Sequence, residues 1–486
     1  MDLITSIAVL MLILPAAGAL LCALLKGRAR PAAVAIAAVA TGLAVWLAIT
    51  TFGAHYTSMV ESLPWLRGII DAPLLGIFLD PLSSLMLLVA VPIGLLTVLY
   101  STSYLTNQNH EHPVGSEDYG RYYFWLLLFI TSMVGVAVSP NFLQFLVFWE
   151  MTTLCSWALI SFRQDEKSLR AGFKALLMTS VGSAFLILAI IIIFAKTSSF
   201  EFSALGRLPA GLKSWVFLFL LIAAWAKAAQ VPFHTWLPDA MEAPTPISAY
   251  LHAAAMVKAG VFLMARTVSS GWDIPPKMAL LMAGMALVTI LVALSFYFVQ
   301  DDLKRLLAYS TIAHLGYVLL GIAMGGLGST LGFQGGVLHI ICHAYSKATL
   351  FFCAGSIAYV TGTRKISALR GLGKTLPLIA TAFFVGLLSV TGVPPLACFW
   401  SKFMILSGAM RLPGPLGPLI VTFILVETLV SFGWMLYIAQ KIFLGAPLVA
   451  VPADPPWPMD STLVILMIGC VVAPLVGMPL VQLIGK

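Results

Sequence analysis

The 486-residue chain is 60% hydrophobic and only 9% charged, with a mean hydropathy of +1.00 and a formal net charge of +8. A soluble domain carries about 25% charged residues, so the composition excludes one and places the chain among polytopic membrane proteins. The basic excess is no nucleic-acid footprint, because no loop holds a long Lys/Arg cluster interleaved with aromatics.

Windows of about 20 apolar residues predict spans near 4–25, 31–53, 78–104, 122–138, 142–162, 171–195, 215–245, 247–269, 277–299, 303–326, 331–360, 374–410, 416–441 and 460–484. The expected fold is an all-α polytopic membrane protein of about fourteen transmembrane helices with short connections. The first span reads as full-length rather than as a cleavable signal. Four parts are expected: three N-terminal helices (1–105), a first repeat (122–269), a second repeat (277–445) and a C-terminal helix (460–486). Lys and Arg concentrate in loops after odd-numbered spans, against a smaller set that includes Arg67, Arg266 and Lys486. By the positive-inside rule both termini then lie outside the cytoplasm. The six cysteines (Cys22, Cys155, Cys342, Cys353, Cys398, Cys470) form no CxxC pair, which gives no disulfide framework, iron–sulfur site or zinc site.

In chain order, Asp80-Pro81 reads as a helix start. The fifth span, FLQFLVFWEMTTLCSW, carries Glu150 near its middle, close to Thr152, Thr153 and Ser156. The seventh carries Lys227 about 20 Å along its axis. Five residues later Pro232 breaks it, having no N–H for the carbonyl of Ala228. His252 and Lys258 follow in the eighth span, which reads as continuous. DDLKRLLAYS after the ninth reads as a cytoplasmic anchor, with Asp301 and Asp302 favouring the next helix start and Lys304 and Arg305 counted in the loop. His314 lies in the tenth span. The Gly-rich GIAMGGLGSTLGFQGG lacks a preceding strand and reads as a loop. In the eleventh span His339, His343 and Lys347 are spaced i, i+4, i+8, which puts them on one helix face. Pro394 and Pro395 break the twelfth, Lys402 follows, and Glu427 lies in the thirteenth.

Lys227, Lys258, Lys347 and Lys402 are thus intramembrane lysines, faced by two deep carboxylates, Glu150 and Glu427. His234, His252, His314, His339 and His343 join them. An intramembrane charge costs roughly 3 kcal/mol or more, and chains of Lys, Glu and His mark proton pathways. The structural alternative is a set of ion pairs locking helices together. A metal at HxxxH lacks a third ligand. Two interrupted helices in comparable positions point to an inverted-repeat transporter, with spans four to eight and nine to thirteen as its five-helix repeats. The correspondence is imperfect, since Lys227 precedes its break and Lys402 follows its own. Glu150 and Lys227 are expected to act as a switching pair, and Glu427 as the counter-charge to Lys402 and Lys347.

The runs KAAQVPFHTWLPDAMEAPTPISAYLHAAAMVKAGV, DLKRLLAYSTIAHLGY and HAYSKATLFF, with WE at 149–150, resemble one family over roughly Leu82 to Ile442. It comprises the antiporter-like subunits of respiratory complex I, of multisubunit Na+/H+ antiporters and of energy-converting membrane [NiFe] hydrogenases. CSWALIS and LPDAMEAPTPISAYLHAA are most similar to its hydrogenase 4 (formate hydrogenlyase) branch, in the D-type subunits. The resemblance implies a fourteen-helix core with discontinuous seventh and twelfth helices. It implies proton transfer through Glu150, Lys227, Lys258 and Lys402, with a histidine line of His252, His314, His339 and His343. It also implies H+ or Na+ as the ion, a prokaryotic inner membrane, other membrane-arm subunits and a peripheral redox arm. NiFe and Fe–S clusters would sit in those partners and no cofactor in this chain. Ser183 stands where some relatives carry an acid, and the chain ends after the fourteenth span, so no long lateral helix is expected. Rival readings are a gradient-driven antiporter subunit and a scaffold whose buried charges move nothing.

Overall fold

The computed structural model describes residues 2–60, 74–448 and 454–484; Arg67 and Lys486 of the charge count lie outside them. The helices are α1 (Leu3–Leu25), α2 (Ala29–Thr50), α3 (Pro81–Tyr104), α4 (Tyr119–Val138), α5 (Phe142–Ile160), α6 (Glu166–Thr197), α7 (Ala210–Lys227) and the short α8 (Trp236–Asp239). They continue with α9 (Thr245–Ala253), α10 (Met256–Ser269), α11 (Pro276–Tyr297), α12 (Leu303–Gly326), α13 (Thr330–Thr361), α14 (Pro377–Thr391), α15 (Ala397–Ala409), α16 (Leu416–Phe443) and α17 (Trp457–Leu483). Twelve helical segments are long and apolar enough to cross a membrane. One of them, Leu3–Thr50, holds both α1 and α2, and the shorter α14 completes its pass with α15. The described residues therefore make fourteen passes, in an all-α membrane fold.

Local chemistry sets the helix starts. Asp80 caps α3, accepting from Ser83 N at 2.7 Å with Pro81 at the first position. Asn141 caps α5 and Asp302 caps α12 in the same way, at 2.8 and 3.1 Å. The sequence reading missed a two-stranded ribbon, β1 (Tyr56–Val60) against β2 (Leu75–Leu79). Gln144 completes its edge by accepting from Gly76 N and donating to Gly76 O.

Packing sorts the helices. The best windows of α12 and of α9–α10 are entirely buried and that of α13 is 94% buried, whereas α16 is only 28% buried. Helices apolar all round and buried all round form a core in which polar side chains face protein rather than lipid.

Three spans are interrupted, not two. The seventh stops at Lys227, five residues before Pro232, and Ala229 is left-handed at φ +50°. Pro232 instead precedes the 3-10 turn Phe233–Thr235. The twelfth breaks between Thr391 and Ala397, at Gly392 (φ +92°), Pro394 and Pro395. The eighth, expected to be continuous, opens between α9 and α10, where the N–H groups of Ala254 and Ala255 both reach the carbonyl of Tyr250.

Two basic residues assigned to loops are buried instead. Arg266 forks onto Asp80 (2.5 and 3.0 Å) and donates to Ser83 Oγ (2.8 Å) between the rings of Phe78 and Phe262. Replacing Arg266 with Ala strands a buried carboxylate, for which the expected loss is about 3–5 kcal/mol. Thermal unfolding in detergent measures it, and a loss below about 1 kcal/mol, the value of an exposed pair, would contradict this account. The second residue is Lys304, 1% exposed, whose Nζ donates to Ala243 O at 2.7 Å.

Candidate functional site

The end of α7 places Lys227 against α5. Its Nζ donates to Trp149 O (2.9 Å) and Thr153 Oγ1 (2.5 Å) and lies 4.8 Å from the centre of the Trp149 ring. Ser183, at the position of the missing acid, accepts from Trp149 Nε1 at 3.0 Å and so holds that ring. Gly260 lets α10 pack on the break, since a Cβ there would meet Ala224 O at 2.7 Å and Ala228 N at 2.8 Å. Glu150 does not form an ion pair with Lys227. It is partly exposed on the outer side of α5, its charge acts on Lys227 from a distance, and its Oε1 is buried without a hydrogen-bond partner.

The second group runs from Lys258 to Glu427 with two steps that no hydrogen bond spans: His343 to His314, where His343 Nε2 is buried without a partner, and Ser401 to Lys402. Lys258 Nζ meets His343 Nδ1 at 2.9 Å. The ring centres of His343 and His314 are 5.3 Å apart, and His314 Nδ1 meets His339 Nε2 at 2.9 Å. His339 Nδ1 pairs with Ser401 Oγ at 2.8 Å, on the residue before Lys402. Lys402 Nζ donates to Thr391 O and Thr428 Oγ1, both at 3.2 Å, and lies 4.8 Å from the Tyr317 ring centre. A side chain at Gly392 would crowd it, with Lys402 Cδ at 3.1 Å. Tyr317 OH donates to Glu427 Oε2, and Glu427 Oε1 accepts from Ser431 Oγ at 2.6 Å.

Lys258, His343, His314, His339, Lys402 and Glu427 are thus brought together, through Ser401, Thr428 and Tyr317, which the sequence reading did not single out. All six are buried. Lys347 stands beside the series, donating to Leu307 O at 3.4 Å. His252 is fully buried with its ring tilted against that of Phe351, centres 4.6 Å apart, yet neither ring nitrogen has a partner. His234 is half-buried near Phe296 and joins neither group. Amines, imidazoles, hydroxyls and a carboxylate this close together can each take and give a proton.

Glu427 offers a direct check. Glu427→Gln keeps one acceptor oxygen for Tyr317 or Ser431, puts an NH2 donor facing the other hydroxyl, and removes the negative charge that acts on Lys402. The expected result is a larger loss of ion transport than of assembled protein; wild-type transport would remove Glu427 from the series.

The family described as NADH:quinone oxidoreductase/Mrp antiporter, TM, matches residues 139–431, more than half of the chain. A second, NADH-Ubiquinone oxidoreductase (complex I), chain 5 N-terminus, matches residues 72–123. The chain is similar to the chloroplastic NAD(P)H-quinone oxidoreductase subunit 5 of Carpenteria californica, 38% identical over 353 residues, which is 68% of this chain and 46% of that protein. It is also 38% identical over 355 residues to the counterpart in Chaetosphaeridium globosum, covering 69% and 51%. The chain spans about half the length of these curated relatives. Among solved structures, the Mrp complex from Dietzia sp. DQ12-45-1b superposes with a TM-score of 0.86 at 30% identity, over 99% of this chain and 52% of that one. The archaeal membrane-bound sulfane sulfur reductase superposes with a TM-score of 0.83 at 24% identity, over 98% and 96%, a likeness of fold alone. This multi-pass chain belongs to the NADH:quinone oxidoreductase/Mrp antiporter transmembrane family.

Proposed function

We propose that this chain is the ion-translocating membrane-arm subunit of a redox-driven complex, and that it moves H+ along the buried Lys/His/Glu series in the membrane plane. The observation that carries the reading is the run from Lys258 through His343, His314 and His339 toward Lys402 and Glu427. Burial of so many ionisable groups is costly unless they function. Electron transfer belongs to partner subunits, which carry the NiFe or Fe–S groups and a peripheral arm. Glu150 with Lys227 forms the input element, and His252 and Lys347 belong to the same path. The two five-helix repeats pair the breaks at α7 and α14–α15. The basic loops face the cytoplasm of a prokaryotic inner membrane, with both termini on the other side. The narrower assignment, a hydrogenase 4 D-type subunit, rests on CSWALIS and LPDAMEAPTPISAYLHAA.

A second reading, a subunit of a multisubunit Na+/H+ antiporter, is favoured by the likeness to the Mrp complex. One experiment separates them. The native complex is extracted in mild detergent, its partner chains and nickel and iron content are determined, and inverted vesicles are assayed for H+ uptake with NADH, formate or hydrogen as donor. Redox-dependent uptake that Lys258→Gln abolishes is the expected result. Transport driven by an Na+ gradient alone selects the second reading. Undiminished uptake in Lys258→Gln refutes both and leaves a scaffold.

A further inference from the structure

Lys304 is a buried cation that the series above does not use. It is the second residue of α12, where a snorkelling lysine would reach water. Instead its Nζ donates to Ala243 O, two residues before α9 begins. Around it stand Arg364, Glu111, Asp302 and Glu242, all of whose charges act on it. Together they line the face bearing the loops that follow odd-numbered spans. Glu111 belongs to the loop before α4. Burial alone would raise its pKa, but the His112 contact and the charges of Lys304, His112 and Arg364 hold it at about 2, so it stays ionised. Its Oε2 accepts from Tyr104 OH (3.0 Å), which lies 3.1 Å from Thr245 Oγ1 at the head of α9.

His252 lies two turns further along α9. Both of its ring nitrogens are buried and unpartnered. A buried donor and acceptor with no protein partner is where an internal water is retained. The ring lies 4.6 Å from that of Phe351, one helical turn beyond Lys347 on α13, and the charges of Lys347 and Lys304 both act on it. One turn beyond Lys304 on α12, the carbonyl of Leu307 receives Lys347 Nζ. His252 thus stands within the field of one cation at the charged face and of another beside the central group.

We propose that Lys304 is the loading residue, taking protons from water at the charged face and passing them through His252 to Lys347. The inference rests on the proton-translocating reading above. In each cycle the Lys304 ammonium gives its proton to a His252 ring nitrogen through water. The imidazolium then protonates the Lys347 amine, and the neutral Lys304 is refilled from the face. Glu111, Glu242 and Asp302 remain fixed anions that favour the cation at the mouth. The bland alternative is that Lys304 only anchors α12 to the segment before α9.

The test uses the intact complex in inverted vesicles, with H+ uptake and electron transfer assayed together for Lys304→Gln, Lys304→Arg and Lys258→Gln. Gln keeps a donor for Ala243 O and carries no proton, and Arg keeps the charge but does not release its proton in this range. Both Lys304 variants are expected to assemble and to lose uptake by at least about tenfold, as when a proton-transfer group is removed. A merely structural cation would be rescued by Arg. Wild-type uptake in either assembled Lys304 variant overturns the proposal, and so does failure of both to assemble. If Lys258→Gln loses uptake while the Lys304 variants keep it, only the loading role fails. If Lys258→Gln also keeps it, the translocation reading itself fails.

Discussion

Lys227→Arg is expected to assemble and keep its positive charge but to lose the coupling of proton movement to electron flow proposed above. The pocket around Lys227 offers two acceptors, Trp149 O and Thr153 Oγ1, and a ring face, so a cation there remains satisfied. An arginine meets the electrostatic need but does not surrender its proton, which separates charge from proton transfer. Glu150 supplies the other half of the argument. Its carboxylate makes no ion pair with Lys227 and its Oε1 is unpartnered, so the proposed switch needs a second arrangement in which the two meet. Bringing them together strengthens the hold on the Lys227 proton, and parting them weakens it. Moving one charge across a membrane against 100 mV costs about 2.3 kcal/mol, a sum within reach of making and breaking one close ion pair at protein-like dielectric. Lys227→Ala and Glu150→Gln should likewise leave the complex assembled and uncoupled. Dye quenching in inverted vesicles, with electron transfer assayed alongside, measures this. A normal proton-to-electron ratio in Lys227→Arg would place the switch elsewhere.

His343→Leu is expected to cut the line at its junction. His343 touches Lys258 directly and has both other histidines of the group within about 6 Å, at 5.3 Å for His314 and 6.1 Å for His339 between ring centres. Leucine fills similar space without a titratable nitrogen and leaves Lys258 Nζ without its imidazole. Removing a positioned proton-transfer group typically costs 10²–10⁴-fold, so H+ uptake should fall by at least about 10²-fold while electron transfer continues. His343→Gln, which restores a hydrogen-bond partner for Lys258 but no titratable ring, should assemble better and transport no better. Uptake within twofold of wild type in His343→Leu would show that Lys258 hands its proton on by another way.

Those experiments target residues that were legible because their cost was legible. A lysine, glutamate or histidine inside an apolar run stands out without any tertiary information, so Glu150, Lys227, Lys258, Lys347, Lys402 and Glu427 are visible in the sequence, as are the proline breaks near 232 and 394. Three kinds of feature were hidden. The opening at Ala254–Ala255 carries no Pro or Gly; a doubled acceptance at the Tyr250 carbonyl makes it, and that depends on packing around α9. Lys304 and Arg266 sit at span ends, where spacing cannot distinguish a snorkelling side chain from one folded inward onto Ala243 or Asp80. The hydroxyl links at Ser401, Thr428 and Tyr317 are unremarkable in sequence, and contact between distant helices alone gives them a role.

The ion pairs of the odd-loop face have a mechanical consequence. Arg364, three residues beyond the end of α13, reaches Glu111, Glu242 and Asp302, while Arg305 on α12 reaches Asp239. With Lys304 on Ala243 O and Arg364 on Met241 O, these ties stitch the segment after α7 to the start of α12 and the end of α13. At the opposite face no ion pair joins the same two sets of helices among the described residues. The molecule is a book bound along one edge. A relative movement of its two leaves that kept these ties intact would pivot on that spine and be largest at the far margin, away from the stitching.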